Sequence, residues 1–265
     1  MSAPVAEIDE RPLDDIPLLV AHRGYAKRYP ENTLESVEAA LVVGACYVEF
    51  DVQLTADAVP IVIHDASLER TANVAGVVQE MPWQAIRDIQ VNESTRLDNR
   101  FQNVLVPSVA QVADLMRKWP GRRAFVEIKR SSLRYFGLER VMGPLLDEIS
   151  SPPEQFIVIS FDPQAVAYAK TRSIHDTAWV VDRWTRDARR TAEKLMPEFL
   201  FCNYRKLPRD PGKLWPGPWK WVLYEIDDVE HALSLGKRGI HMIETMAVGE
   251  LLADQRLARR SCIEQ

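Results

Sequence analysis

Four short stretches of this 265-residue chain carry side chains able to do chemistry at spacings that bring them together. In Tyr47-Val48-Glu49-Phe50-Asp51-Val52, an extended backbone sends Glu49 and Asp51 to one face and Val48, Phe50 and Val52 to the other. At ~3.3 Å per residue the two carboxylates stand roughly 7 Å apart along that face and repel each other. Within an apolar strand they need a cation or a strong hydrogen-bond network. His64-Asp65 ends the apolar run Pro60–Ile63, His22-Arg23 ends Leu18–Ala21, and Glu127-Ile128-Lys129 repeats the alternation with an acid and a base on one face. Each stretch alone also fits a plainer role. Two acids suit a solvated strand end, His22 a loop, His64-Asp65 an Asx-type turn, and Glu127 with Lys129 a structural ion pair.

The elements around these stretches decide between the two sets of roles. Pro17–Ala21 reads as a buried strand, and Pro30-Glu31-Asn32-Thr33 opens a helix capped by Asn32 or Thr33, with Glu35 in the capping-box position for Asn32. Leu34, Val37, Ala40 and Leu41 form the helix's apolar stripe, Gly44 ends it, and Cys46–Asp51 is the second strand, making a βαβ unit. Only Val52–Pro60 separates Asp51 from the next run. That is too short for a parallel crossover, so Ile61–His64 is expected to be an antiparallel excursion. An insertion from about 55 to 107 follows, with a short helix near Pro82–Asp88.

Regular alternation resumes at the Ser108/Gln111 capping box. Strands are expected at Arg123–Lys129, Phe156–Phe161, Thr177–Val181, Phe199–Asn203, Trp221–Ile226 and Ile240–Ile243, with helices at Leu138–Ile149, from Asp162-Pro163, and at Thr185–Met196, Val229–Leu235 and Met246–Arg260. The Pro-, Gly- and Trp-rich stretch Leu207–Trp219 replaces one helix by a rigid loop. Eight buried strands alternating with helices make an α/β chain, a (β/α)8 TIM barrel with an insertion after strand two. Residues 1–16 form an N-terminal arm and 17–265 a single catalytic domain. A doubly wound sheet is the alternative, but no G-x-G-x-x-G follows the first strand. Barrel sites lie at the C-terminal strand ends, which is where His22, Arg23, Glu49, Asp51, His64, Glu127 and Lys129 fall.

Composition narrows the function classes. A net charge of −5 argues against nucleic acid, no apolar run approaches the ~20 residues of a transmembrane span, and the acidic start lacks a secretory h-region. Cys46, Cys202 and Cys262 suggest neither a metal site nor a disulfide framework, so a reducing cytoplasm is the expected location.

In order along the chain, His22-Arg23-Gly24, Pro30-Glu31-Asn32-Thr33, Glu49-x-Asp51, Thr55-x-Asp57, His64-Asp65, Leu68-Glu69-Arg70-Thr71, Pro107-Ser108 and Glu127-x-Lys129 resemble the glycerophosphodiester phosphodiesterase family. The resemblance implies a barrel of this type, acid–base roles for His22 and His64, and a divalent metal held by Glu49, Asp51 and Glu127. Oxygen-only ligation suits one Mg²⁺ or Ca²⁺, and Arg23 and Lys129 would neutralise the phosphate of a small-molecule phosphodiester. The match weakens in strand seven, where Tyr224-Glu225-Ile226-Asp227 replaces the family's Trp-Thr-Val-Asn, and in strand eight, where Glu244-Thr245-Met246-Ala247 replaces Thr-Asp-x-Pro. Three other readings exist. One is a lysophospholipase D-like enzyme with an apolar groove built on Trp215, Trp219 and Trp221. The second is a zinc hydrolase, whose usual His-x-His is missing. The third is an inactive barrel acting as a binding module.

Overall fold

The computed structural model of the chain describes residues 12–98, 100–208 and 214–262. Strand β1 (Leu18–Ala21) leads through α1 (Leu34–Val42) to β2 (Tyr47–Leu54), which turns back into β3 (Pro60–Val62). The insertion carries short helices α2 (Glu69–Ala72), α3 (Trp83–Ile86) and α4 (Ser94–Leu97). Then come α5 (Val109–Arg117), β4 (Arg123–Ile128), α6 (Arg130–Phe136), α7 (Leu138–Glu148), β5 (Phe156–Ser160), α8 (Pro163–Arg172), β6 (Asp176–Val181), α9 (Arg186–Leu195) and β7 (Phe199–Asn203). The chain closes with β8 (Lys220–Tyr224), α10 (Val229–Gly236), β9 (Met242–Thr245), α11 (Val248–Leu252) and α12 (Gln255–Ala258).

The strand order is β1-β9-β8-β7-β6-β5-β4-β2-β3, and β1 also pairs with β2. Every pairing is parallel except β2 with β3, so eight strands close into a (β/α)8 barrel and β3 stands outside the ring as an antiparallel excursion. Alternation sorts the side chains. Val20, Phe125, Ile159, Val180, Phe201 and Met242 fill the barrel, while Val48, Phe50, Val52, Val126 and Ile128 face the helices. The insertion has its own small core of Ile61, Ile63, Leu68, Val78, Ile86 and Val106. Two capping boxes start α1 and α5, Thr33 with Ser36 and Ser108 with Gln111.

Several boundaries differ from the sequence expectation. β2 runs past Asp51 to Leu54 because Val52, Gln53 and Leu54 gain partners in β3. The unexpected α6 follows β4 at once; its Ser132 Oγ accepts from Leu54 N–H at 2.9 Å and donates to Gln53 at 2.6 Å. β9 lies two residues later than expected, and the final helix is two pieces, α12 being restarted by Asp254, whose side chain accepts from Arg256 N–H. Glu35 does not form the α1 box, and Asn32 has a different use described below. Ile16, assigned to the arm, is fully buried; residues 1–11 of the arm and 209–213 of the Pro/Gly/Trp loop lie outside the described residues. Trp215, Trp219 and Trp221 are buried, and Trp215 and Trp221 pack on Trp184.

The cysteine expectation is corrected: Cys46 and Cys262 form a disulfide. Their separation of 216 positions conceals the pairing in the sequence, but the segment after α12 returns to the start of β2, where Cys262 N–H donates to Gly44 O at 2.9 Å. Among the described residues no helix is long and apolar enough to cross a membrane.

Candidate active site

β1, β2 and β4 are neighbours, with Asp51 directly opposite Glu127 in the ladder. Glu49, Asp51 and Glu127 therefore point into the barrel from adjacent strands at its C-terminal end. His22 and Arg23 leave the end of β1 in a tight turn. His22 N–H donates to Thr245 O at 2.9 Å, Arg23 takes a left-handed φ of 55°, and its N–H donates to Glu49 Oε2 at 3.0 Å. Gly24 follows at φ 75°, and a Cβ there would lie 2.5 Å from the carbonyl carbon of Ser36. The turn is thus tied to the start of α1 by close contact.

The charges interlock. Lys129 Nζ donates to Asp51 Oδ1 at 3.0 Å and to Glu127 Oε1 at 2.6 Å. Arg23 donates to Glu31 Oε1 at 2.9 Å, and its Nε lies 3.2 Å from Asp51 Oδ2 without hydrogen-bond alignment. Asn32, held at φ 58°, donates to Asp51 Oδ2 at 2.8 Å and accepts from Asp51 N–H at 3.0 Å. Farther out, Arg70 from α2 bridges Glu31 at 2.7 Å and Asp65 at 2.6 Å, and Asp65 meets His64 Nδ1 at 2.5 Å. A continuous chain of charged contacts therefore runs from Arg23 to His64. Asp65 engages Nδ1 of His64, which leaves Nε2 for other partners.

Burial and crowding shape the protonation states. Burial, reinforced by the nearby Arg23 cation, pushes His22 down to about 3, so its imidazole is neutral near neutral pH. Burial alone would raise Asp51, but Lys129 and Arg23 override it and hold the carboxylate well below its usual range. Glu49 is pushed well above that range by burial and by Asp51, Glu244 and Glu127. Glu127 is also raised, burial outweighing the Lys129 ammonium. Burial would lower Lys129, but Asp51 and Glu127 lift it instead.

Glu49, Asp51 and Glu127 each offer an oxygen, and the three atoms lie within 4.8 Å of one another. That spread accommodates one ion at about 2.3–2.6 Å from each oxygen. Glu49 Oε1 is buried without a hydrogen-bond partner, so the residues present fit a hard cation. Above them a cavity of about 190 Å³ is lined by His22, Arg23, Asp51, His64, Glu127 and Lys129, and on its far side by Phe161, Val180, Phe201, Tyr224, Glu225 and Glu244. All seven residues singled out in the sequence thus meet: six line the cavity, and Glu49 lies buried within ligand reach of Asp51 and Glu127. A larger depression, about 740 Å³, lies at the opposite barrel end, where Arg117 and Arg123 are engaged by Asp114, Asp176 and backbone carbonyls.

Sequence reasoning assigned no active-site role to Glu31, Asn32, Asp65, Arg70 or Glu244. Glu244 had a readable signal: with Met242 inside the barrel, period two puts Glu244 inside as well. The expected strand stopped at Ile243, one residue short of Glu244 and two short of the end of β9.

Known proteins resemble this chain in sequence and fold. The model of the Glycerophosphoryl diester phosphodiesterase family matches residues 22–204. A glycerophosphodiester phosphodiesterase of Caldanaerobacter subterraneus subsp. tengcongensis is 28% identical over 232 residues, covering 84% of this chain and 92% of that protein. An Oleispira antarctica phosphodiesterase, solved with the product sn-glycerol-3-phosphate, superposes with a TM-score of 0.80 at 22% identity over 90% of this chain and 96% of that one. A glycerophosphodiester phosphodiesterase of Parabacteroides distasonis gives 0.74 at 19% identity over 92% and 98%. With the family model covering the stretch from the His22 turn through the Glu127-x-Lys129 strand and beyond, this chain is an enzyme that belongs to the glycerophosphoryl diester phosphodiesterase family.

Proposed function

We propose that the chain hydrolyses glycerophosphodiesters such as glycerophosphocholine or glycerophosphoethanolamine to glycerol 3-phosphate and an alcohol. His22 and His64 serve as the acid–base pair, and Glu49, Asp51 and Glu127 hold one Mg²⁺ or Ca²⁺. The observation that carries this reading is that both imidazoles line one small cavity with Arg23 and Lys129, directly beside the oxygen triad. The phosphate would be neutralised by Arg23 and Lys129. One imidazole accepts a proton from the attacking hydroxyl, which is water or the substrate's own glycerol hydroxyl. A new P–O bond forms as the ester P–O bond breaks, and the other imidazole returns a proton to the departing alkoxide. The cation, when bound, supplies Lewis-acid polarisation of the phosphodiester.

Residues 17 to 265 act in this proposal as one catalytic domain. The cytoplasmic location expected from the sequence enters with a condition: the reducing glutathione pool there would keep Cys46 and Cys262 as thiols. Trapping free thiols at the moment of cell lysis separates that location from an oxidising one. The lysophospholipase D-like reading is not favoured, because Trp215, Trp219 and Trp221 are buried rather than arrayed as an apolar surface.

The test is release of glycerol 3-phosphate from glycerophosphocholine. Turnover should vanish with EDTA and return with Mg²⁺ or Ca²⁺. His22→Ala and His64→Ala should each lower kcat by ~10²–10⁴ with unchanged circular dichroism. Near-wild-type turnover in folded His22→Ala would sink the acid–base assignment, and indifference to EDTA would sink the metal.

A further inference from the structure

We propose that Glu244, His22 and Glu49 form a second divalent-cation position beside the oxygen triad, and that filling it withdraws His22 from proton transfer. Barrel closure creates the site. β1 lies between β9 and β2, pairing Val20 with Glu244 on one side and with Tyr47 on the other. The inward carboxylate of β9, the imidazole at the end of β1 and the inner carboxylate of β2 are thereby presented by three adjacent strands. One ligand atom from each of the three lies within 4.8 Å of the others. An ion at about 2.0–2.2 Å from such donors sets tetrahedral ligand atoms ~3.3–3.6 Å apart, so filling the site draws the three side chains together.

All three side chains are more than nine-tenths buried, with residue exposures of 4% for Glu244, 7% for His22 and 1% for Glu49. The Glu244 carboxylate lines the cavity, His22 Nε2 lies 3.9 Å from Glu49 Oε2, and Glu49 Oε1 and His22 Nδ1 are buried without partners. The nearby cations are already engaged, Arg23 with Glu31 and Asp51 and Lys129 with Asp51 and Glu127. Two buried carboxylates therefore share one small space with an imidazole, a donor set that a bound cation would stabilise.

The donor set names the class of ion. One imidazole nitrogen with two carboxylates suits Zn²⁺, Co²⁺ or Mn²⁺, whereas the neighbouring oxygen-only set suits Mg²⁺ or Ca²⁺. The metal-binding half of the inference stands on these contacts alone, and the inhibitory half rests on the acid–base reading of His22.

The experiment titrates EDTA-stripped protein with Co²⁺ in saturating Mg²⁺ and records the visible absorption of nitrogen-ligated cobalt. Wild type should bind one Co²⁺ that Mg²⁺ and Ca²⁺ do not displace. Glu244→Gln should weaken that binding by about tenfold or more with Mg²⁺ affinity little changed, and His22→Gln should remove the nitrogen signature. If Glu244→Gln loses its circular-dichroism spectrum, Glu244→Ser carries the same measurement. In parallel, Zn²⁺ should inhibit glycerophosphocholine turnover of wild type in saturating Mg²⁺, with the inhibition constant raised about tenfold or more in Glu244→Gln. Co²⁺ bound equally by wild type and the Glu244 variants, or fully displaced by Mg²⁺, overturns the second site. Zn²⁺ inhibition unchanged in the variant overturns the inhibitory role. If wild type has no turnover at all, the proposed function falls and the cobalt titration decides this inference by itself.

Discussion

At the scale of single residues, the site is a problem in crowded carboxylates. Glu49 and Glu127 are both raised, chiefly by burial, so in the cation-free protein they hold protons at pH values where free carboxyls have lost theirs. A cation must displace those protons, so binding should release them and tighten as pH rises. Calorimetric titration of Mg²⁺ or Ca²⁺ at about pH 6 and about pH 8, in buffers of different ionisation enthalpy, should show higher affinity at the higher pH with net proton release. Equal affinity and no proton release would contradict the protonated state of these acids. What the sequence revealed here followed from alternation: Glu49, Asp51, Glu127 and Lys129 could be placed on one face because strands repeat every two residues. Arg70 and Glu31 could not, because their contacts with Asp65 and Arg23 join an insertion helix to the loop before α1. Asn32 reads as a helix cap by residue type, yet its left-handed backbone turns it toward Asp51.

At the scale of elements, the β1–α1 connection holds the chemistry in place. Thr33 caps α1, and Ser36 Oγ donates to Arg23 O at 3.0 Å, so helix start and catalytic turn share one network. Thr33→Ala should cost about 1 kcal/mol in urea unfolding, the usual worth of a helix cap. Gly24→Ala demands more, since a left-handed φ and the 2.5 Å approach to Ser36 both oppose a methyl group. It should destabilise by roughly 1–3 kcal/mol and lower turnover in the fraction that folds, because the turn bearing His22 and Arg23 must shift. Full activity at wild-type stability would show that the turn tolerates a side chain. The β2–β3 excursion was legible because nine residues cannot make a parallel crossover. The later position of β9 was not, because pairing with β1 and β8, rather than the apolar run from Ile240, fixes where that strand lies.

At the scale of the molecule, the closed barrel brings its two ends under separate control. The active-site mouth lies at the C-terminal strand ends, and the Cys46–Cys262 bond lies at the opposite end, where β2 begins. Loop-entropy arguments assign roughly 5 kcal/mol to a cross-link spanning so long a segment. Reduction should therefore lower Tm by on the order of 10 °C while turnover per folded molecule stays the same, as a thermal scan and an assay in reductant would read. The overall architecture was legible because eight apolar strand runs recur with helices between them, but a pairing between positions 216 apart leaves no local trace. The same bond changes what a broken chain is. From Cys46 to Cys262 the polypeptide is a covalent ring, so one cut anywhere within it, for instance at the exposed Asn73–Val74 of the insertion, opens the ring without releasing a piece. A nicked molecule should migrate as one band without reductant and as two with it, and both halves of the catalytic mouth would stay tethered in the same particle.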